Sequence, residues 1–367
     1  MTSLAHRPAF RALLPDDEPR CLLDATGRPT GGELPDPEIL DRLYRSMVLG
    51  RRFDTQATAL TRQGRLAVYP SARGQEACEV GAVLALRTQD WLFPTYRDSM
   101  AVLTRDVPPT EVLTLLRGDW HCGYDPYTYR VAPQCTPLAT NTLHAVGLGH
   151  AARVKGEDTA ALVMVGDGAT SEGDLHEALN FAALWKSPVV FLVQNNGYAI
   201  SVPIAKQSAA PSLAHKGIGY GVASVRVDGN DAAAVYLAVR DAIAAAAAGE
   251  GPTLIEALTY RIEAHTNADD ATRYRDGDEV QQWLARDPIA RLDTYLRTTG
   301  RLDDAGLARI TAEGERQCAE LRERMNVDEA LDPADLFEHV YAEPTVALRA
   351  QRAALEADLA DAAEDAT

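Results

Sequence analysis

Basic residues are in short supply: 36 Lys and Arg stand against 53 Asp and Glu in 367 residues, a formal net charge of -17. Such a surface repels nucleic acid and anionic membrane, so polyanion binding is not expected. Cysteine is scarce too. The five thiols, Cys21, Cys78, Cys122, Cys135 and Cys318, are odd in number and irregular in spacing. They make neither a disulfide framework nor a CxxC metal pair, and read as reduced. No apolar run reaches membrane-spanning length, and the N-terminal MTSLAHRPAF has no continuous apolar stretch after its first basic residue. A cytoplasmic protein with no nucleic-acid and no membrane partner is expected. Two phosphate-binding signatures are also missing. GDGATS, at 166–171, lacks the third glycine of GxGxxG, and no GKS or GKT is present, which argues against NAD and nucleoside triphosphates.

What remains is an ordinary enzyme-like composition, 46% hydrophobic and 24% charged, in a chain long enough to bury a substantial core. Residues 1–37, rich in Pro, Asp and Gly, read as an N-terminal arm. Ile39, Leu43 and Met47 recur at four-residue spacing, predicting a helix with one apolar stripe. A second helix is expected over 75–86, then a short strand over 91–93 that delivers Tyr96, Arg97 and Asp98. Residues 137–155 are helical in spacing but carry Gly147 and Gly149, for which close packing in a central helix would compensate. Apolar runs at 160–165, 189–193 and 223–227 predict strands, Asn230 a helix cap, and TLIEALTY a further strand. The alternation predicts an α/β fold with a mostly parallel sheet flanked by helices. Residues 38–287 form the binding domain in this reading, 288–355 a C-terminal helical region, and 356–367 an acidic tail prone to fray.

The informative stretch is AALVMVGDGATSEGDLHEALNFAALWKSPVVFLVQNNGYAIS, residues 160–201. A strand ends before Gly166-Asp167-Gly168, a helix is predicted from near Ser171 with Ser171 and Asp174 as a capping box, and the next strand ends at Asn195-Asn196. If the two strands are neighbours, Asp167 and Asn196, 29 positions apart, meet at one sheet edge. A carboxylate and an amide oxygen suit Mg²⁺, a hard cation that completes its shell with substrate phosphate, and a carbonyl near Tyr198 could add a third oxygen.

GDG followed after 26 residues by NN resembles the shared motif of thiamine diphosphate enzymes. More narrowly, RQGRLAVYPSARGQEA, FPTYRD, CTPLAT, GDGATSEGD, QNNGYAIS, RVDGND and YRIEAHTNADDATRYR, in that order, resemble the alpha subunit of the E1 component of 2-oxo acid dehydrogenase complexes, especially the branched-chain type. The resemblance implies a thiamine diphosphate-binding fold over 38–287. Asp167, Asn196 and the Tyr198 backbone oxygen would be magnesium ligands. Tyr96 and Arg97 would hold the diphosphate, Gly168 and Ala169 would offer backbone contacts, and Thr136 and Leu138 would form a turn near the cofactor. His265 and His121 would be the active-site histidines. The turn carrying Cys135, Thr136, Pro137, Thr140 and Asn141 resembles one that binds potassium (K⁺) in branched-chain relatives. Val68, Thr95 and Leu138 fall near the family's substrate pocket. The implied activity is oxidative decarboxylation of branched-chain 2-oxo acids with acyl transfer to lipoyl-bearing E2. It would be carried out by an alpha2-beta2 heterotetramer in which the E1 beta subunit supplies a glutamate, with flavoprotein E3 completing the cycle. The alternatives are a pyruvate dehydrogenase E1 alpha subunit and a non-catalytic cofactor-binding partner.

Overall fold

The structure, a computed structural model, describes residues 13–119, 121–327 and 332–365. The chain divides into two compact units, Met1–Arg322 and Glu323–Thr367. In the first, five strands make one parallel sheet: β1 (Trp91–Phe93), β2 (Ala161–Gly166), β3 (Val189–Asn195), β6 (Ala223–Asp228) and β7 (Thr253–Leu258), in the order β1-β2-β3-β7-β6. Two short strands, β4 (Tyr198–Ala199) and β5 (Val202–Pro203), form a separate antiparallel hairpin. β2 and β3 are almost wholly apolar and buried along their length, because parallel strands covered on both faces have no solvent side to which polar residues could alternate.

Two groups of helices provide the cover. Helices Thr140–Lys155 and Gly173–Trp185 pack Ala145, Val146, Leu175, Ala178 and Leu179 with Val163, Val165, Phe191 and Val193 of β2 and β3. Helices Pro37–Arg62, Glu76–Leu84, Ala232–Ala247 and Pro288–Thr298 bring together Leu40, Leu43, Met47, Val80, Ala233, Leu237 and Leu292 in a second core. Leu22 and Leu23 of the predicted arm join this core, so that part of the arm lies on the body. Residues 1–12 of the arm fall outside the described residues. The second unit carries helices Asp335–Glu338 and Val346–Asp365, so the acidic segment expected to fray is helical to Asp365.

Three local expectations need correction. The helix predicted from Ser171 begins at Gly173, because Gly168–Ser171 is taken by a 3₁₀ turn and Asp174 accepts from Thr140 Oγ1 at 3.0 Å instead of capping. Asp231, not Asn230, caps the alanine-rich helix. Its carboxylate accepts from Ala233 N and Ala234 N at 3.1 and 3.2 Å and also ties down the arm, through Leu22 N at 2.6 Å and Leu23 N at 2.8 Å. Helix Thr140–Lys155 is central on one side only. A Cβ at Gly149 would sit 3.0 Å from Val189 Cγ2, whereas one at Gly147 would meet nothing, and His144, Gly147, Ala151 and Val154 are exposed. All five cysteines are free thiols. No described helix is long and apolar enough to cross a membrane.

Candidate active site

Parallel pairing sets Gly166 beside Gln194, so Asp167 at the end of β2 and Asn196 at the end of β3 arrive at the same carboxyl edge, where open α/β sheets bind ligands. Asn196 Oδ1 lies 3.2 Å from Asp167 Oδ1 and 3.1 Å from the Tyr198 carbonyl oxygen. It also accepts the Tyr198 N–H at 3.3 Å. Its Nδ2 is turned away, donating to Gln75 Oε1 at 2.9 Å. The result is an amide oxygen that faces both a buried carboxylate oxygen and a carbonyl oxygen with no proton on either contact. Either a cation among them or a turn of the Asn196 amide would relieve these contacts, and an all-oxygen set with one formal charge suits Mg²⁺. Asp167 is 1% exposed. Burial raises its pKa, while a 2.6 Å hydrogen bond from Gln207 Nε2 to its Oδ2 favours the charged form.

The trio opens into a cleft of about 210 Å³, lined also by Tyr96, Arg97, Leu138, Gly168, Ala169, Arg261 and His265. Arg97, 5% exposed, donates to Ser71 O at 2.8 Å and His265 O at 3.0 Å and sits 5.5 Å from the Tyr96 ring centroid. Arg261, 1% exposed, donates to Ile200 O at 2.6 Å and to Tyr274 Oη at 2.9 Å, and its Nε has no partner. Two buried guanidinium groups beside three oxygens that suit a cation are chemically matched to an anion that carries its own metal, the character of a magnesium diphosphate. Gly168 lets the turn pack closely on the β4 strand: a Cβ there would stand 2.7 Å from that of Ala199.

His265 is held between the two arginines. Its Nδ1 lies 3.1 Å from Arg97 Nη2 and 3.2 Å from Arg261 Nη1. Both neighbours can only donate, so Nδ1 accepts and Nε2 carries the hydrogen. Burial, followed by the charges of Arg97 and Arg261, lowers the imidazole pKa to about 4.

Not every residue implied by the sequence comes to the cleft. Leu138 lines it while 42% exposed, but Thr136 is exposed and does not. His121 is exposed, accepts from Gly123 N at 3.0 Å and lies outside the lining, as does Val68. In the 135–141 turn, Asn141 Nδ2 donates to Met164 O at 2.9 Å and Cys135 Sγ to Pro137 O at 3.2 Å. The sequence alone singles out Asp98 only for its place after the first strand, and assigns no role to Gln75, Gln194 and Arg261, though they lie inside the motifs, or to Gln207. The signal available for Gln194 was an amide closing an apolar strand, next to Asn195 and Asn196, which must find a partner once buried.

The profile of the dehydrogenase E1 component family matches residues 44–333. This chain belongs to that family. The E1 chain is 48% identical over 361 residues to a 3-methyl-2-oxobutanoate dehydrogenase subunit alpha of Mycobacterium tuberculosis, covering 97% of this chain and 98% of the relative. It is 40% identical over 283 residues to a pyruvate dehydrogenase E1 component subunit alpha of Staphylococcus aureus, 76% of each chain. It is 36% identical over 319 residues to one of Acholeplasma laidlawii, covering 86% of this chain and 92% of that one.

In the cofactor-free E1 chain His265 is expected to stay neutral well below its usual midpoint. Its folded pKa of about 4 lies under the ordinary value of 6.5, so the unfolded chain binds the extra proton and the contribution to stability is lost as pH falls from 6.5 towards 4. Magnesium pyrophosphate, by neutralising Arg97 and Arg261, should raise the midpoint. Imidazole C–H resonances followed from pH 8 to 4, with and without that anion, provide the check. A His265 midpoint near 6.5 in the free chain would contradict the arrangement.

Proposed function

We propose that this E1 chain is the alpha subunit of a branched-chain 2-oxo acid dehydrogenase and holds the magnesium-diphosphate end of thiamine diphosphate. The observation that carries the reading is the buried oxygen trio of Asp167, Asn196 and Tyr198, with no hydrogen bond from Asn196 to either of the other two oxygens, beside Arg97 and Arg261. When bound, thiamine diphosphate supplies the nucleophilic carbon and the electron sink for loss of CO₂. The residues of this chain do the holding. The three oxygens would take Mg²⁺, Arg97 and Tyr96 would bind diphosphate oxygens, and the main chain at Gly168 and Ala169 would line the same path. His265, kept neutral by the arginines, presents Nε2–H as a donor without adding a charge.

The cytoplasmic working unit in this proposal is an alpha2-beta2 heterotetramer. Its E1 beta subunit completes the cleft, lipoyl-bearing E2 receives the acyl group and E3 closes the cycle. The Mycobacterium relative, matched over nearly its whole length, supports the branched-chain substrate. The pyruvate dehydrogenase relatives give pyruvate as the second reading. The two are separated by kcat/KM for 3-methyl-2-oxobutanoate, 4-methyl-2-oxopentanoate, 3-methyl-2-oxopentanoate and pyruvate on one reconstituted E1. Each methylene accommodated in an apolar pocket is worth roughly 1–3 kcal/mol, so a preference of about tenfold or more for the branched acids is expected. A preference for pyruvate over all three would reject the branched-chain assignment and leave the cofactor site untouched.

A further inference from the structure

We propose that a buried relay of side chains beginning at Asp98 fixes which end of the Asn196 amide faces the cation, making Asp98, Gln194 and Gln75 positioning residues for the metal. The proposal rests on reading the cleft as a magnesium-diphosphate site. Asp98 Oδ2 accepts from Thr95 N at 2.6 Å and Thr95 Oγ1 at 2.7 Å. Its Oδ1 accepts from Gln194 Nε2 at 2.6 Å. Gln194 Oε1 accepts from Gln75 Nε2 at 3.1 Å, and Gln75 Oε1 from Asn196 Nδ2 at 2.9 Å. Asp98, Gln194, Gln75 and Asn196 are 0, 2, 1 and 5% exposed, and the last three reach the cleft wall, so within the row their partners are chiefly one another.

A carboxamide has a donor end and an acceptor end, and a row of them must point one way. Taken alone, Asn196 would be better turned around, since its Nδ2 would then donate to Asp167 Oδ1 and Tyr198 O and quench the site with protons. That turn sets its oxygen 2.9 Å from Gln75 Oε1. Relief requires Gln75 and Gln194 to turn as well, which brings the Gln194 oxygen against the Asp98 carboxylate, a group that only accepts. Asp98 therefore breaks the tie. Through two glutamines it keeps an oxygen rather than an NH₂ in the metal site.

An isosteric change should reverse the row. In Asp98→Asn, the Thr95 N–H still requires an oxygen, so the new Nδ2 faces Gln194. All three amides then turn, and Asn196 presents its NH₂ to Asp167 and Tyr198. The double variant D98N/Q75E should restore the wild-type direction at Asn196, because a carboxylate at position 75 accepts from both Gln194 and Asn196. The probe is Mg²⁺ at saturating thiamine diphosphate, read as the half-saturating concentration for cofactor binding by the assembled protein. Side-chain amide NMR of the full-length chain reports separately whether the Asn196 NH₂ lies near Gln75 or near Tyr198.

D98N is expected to raise the half-saturating Mg²⁺ by about thirtyfold, within the range typical of lost metal-supporting contacts. The double variant should return to within about fivefold of wild type, and the NH₂ contact should move to Tyr198 only in the single variant. Wild-type affinity in D98N, no rescue in the double variant, or an unmoved NH₂ contact overturns the relay. Wild-type protein with the NH₂ at Gln75 but no Mg²⁺-dependent cofactor binding overturns the functional reading instead.

Discussion

Asp167→Ala should raise the magnesium concentration needed for thiamine diphosphate binding by about a hundredfold or more, roughly 3 kcal/mol. Asp167 carries the only formal charge in the oxygen trio, and its neighbours are an amide and a carbonyl. Without it the cation meets two neutral oxygens beside two arginines, and the attraction that offsets its dehydration is gone. The fold should not suffer in proportion. Burial already raises the Asp167 pKa, so the metal-free chain holds the carboxylate at a cost that alanine removes. The thermal midpoint without metal should stay within about 3 °C of wild type. Asp167→Asn, which keeps an oxygen and loses the charge, should fall between the two. A magnesium titration of cofactor fluorescence quenching on the assembled protein measures all three. An alanine variant within threefold of wild type would remove Asp167 from the metal site.

Turnover should be absent from the isolated chain and appear on adding its beta partner, with a gain of about a thousandfold or more, the scale of a missing acid-base group combined with an unfinished pocket. Among the described residues lining the cleft, the carboxylates are Asp167, engaged with the other two oxygens, and Glu172, which is exposed. The remaining polar lining consists of arginines, amides, Thr95, Tyr96, Tyr198, Cys135 and His265, whose Nδ1 is occupied by two guanidinium groups. These groups can hold a diphosphate and its metal, but they leave no carboxylate committed to activating the other end of the cofactor. CO₂ release from 2-oxo acid with an artificial electron acceptor, measured on each chain alone and on the mixture, decides the matter. Comparable turnover from chain purified free of beta would overturn the division of labour.

The sheet and the meeting of Asp167 with Asn196 at its edge were legible in the sequence because both depend on short-range pattern. Apolar runs long enough for one strand each, punctuated by GDG and NN, specify where strands stop and which polar groups emerge. The support behind that edge was not legible. Gln75 reaches Asn196 across 121 positions and Arg97 reaches His265 across 168, so each contact exists only once the parallel order is known. Arg261 stands in YRIEAH as one arginine among several, and only its burial singles it out. Local misreadings have local causes. Ser171 and Asp174 have capping-box spacing, but the tight turn after Asp167 consumes the residues that a helix would have used. Asn230 and Asp231 are both good caps, and the choice fell to the one whose carboxylate could also collect two N–H groups of the arm.

The pairing of β3 with β7 rather than β6 sets a timetable for synthesis. Asn195 leaves the ribosome well before Thr253, the first residue to seal that side of β3. At about 5–20 residues per second the roughly 60 residues between them take about 3–12 s. Throughout that interval VVFLVQN, the strand that delivers Asn196, is an open edge with unpaired main-chain groups. The nascent chain thus passes through an exposed-edge stage after Asp167, Asn196 and Tyr198 have all emerged and before the sheet can close around them, so the vulnerable step of its biogenesis is a wait for β7 rather than the formation of the GDG–NN motif.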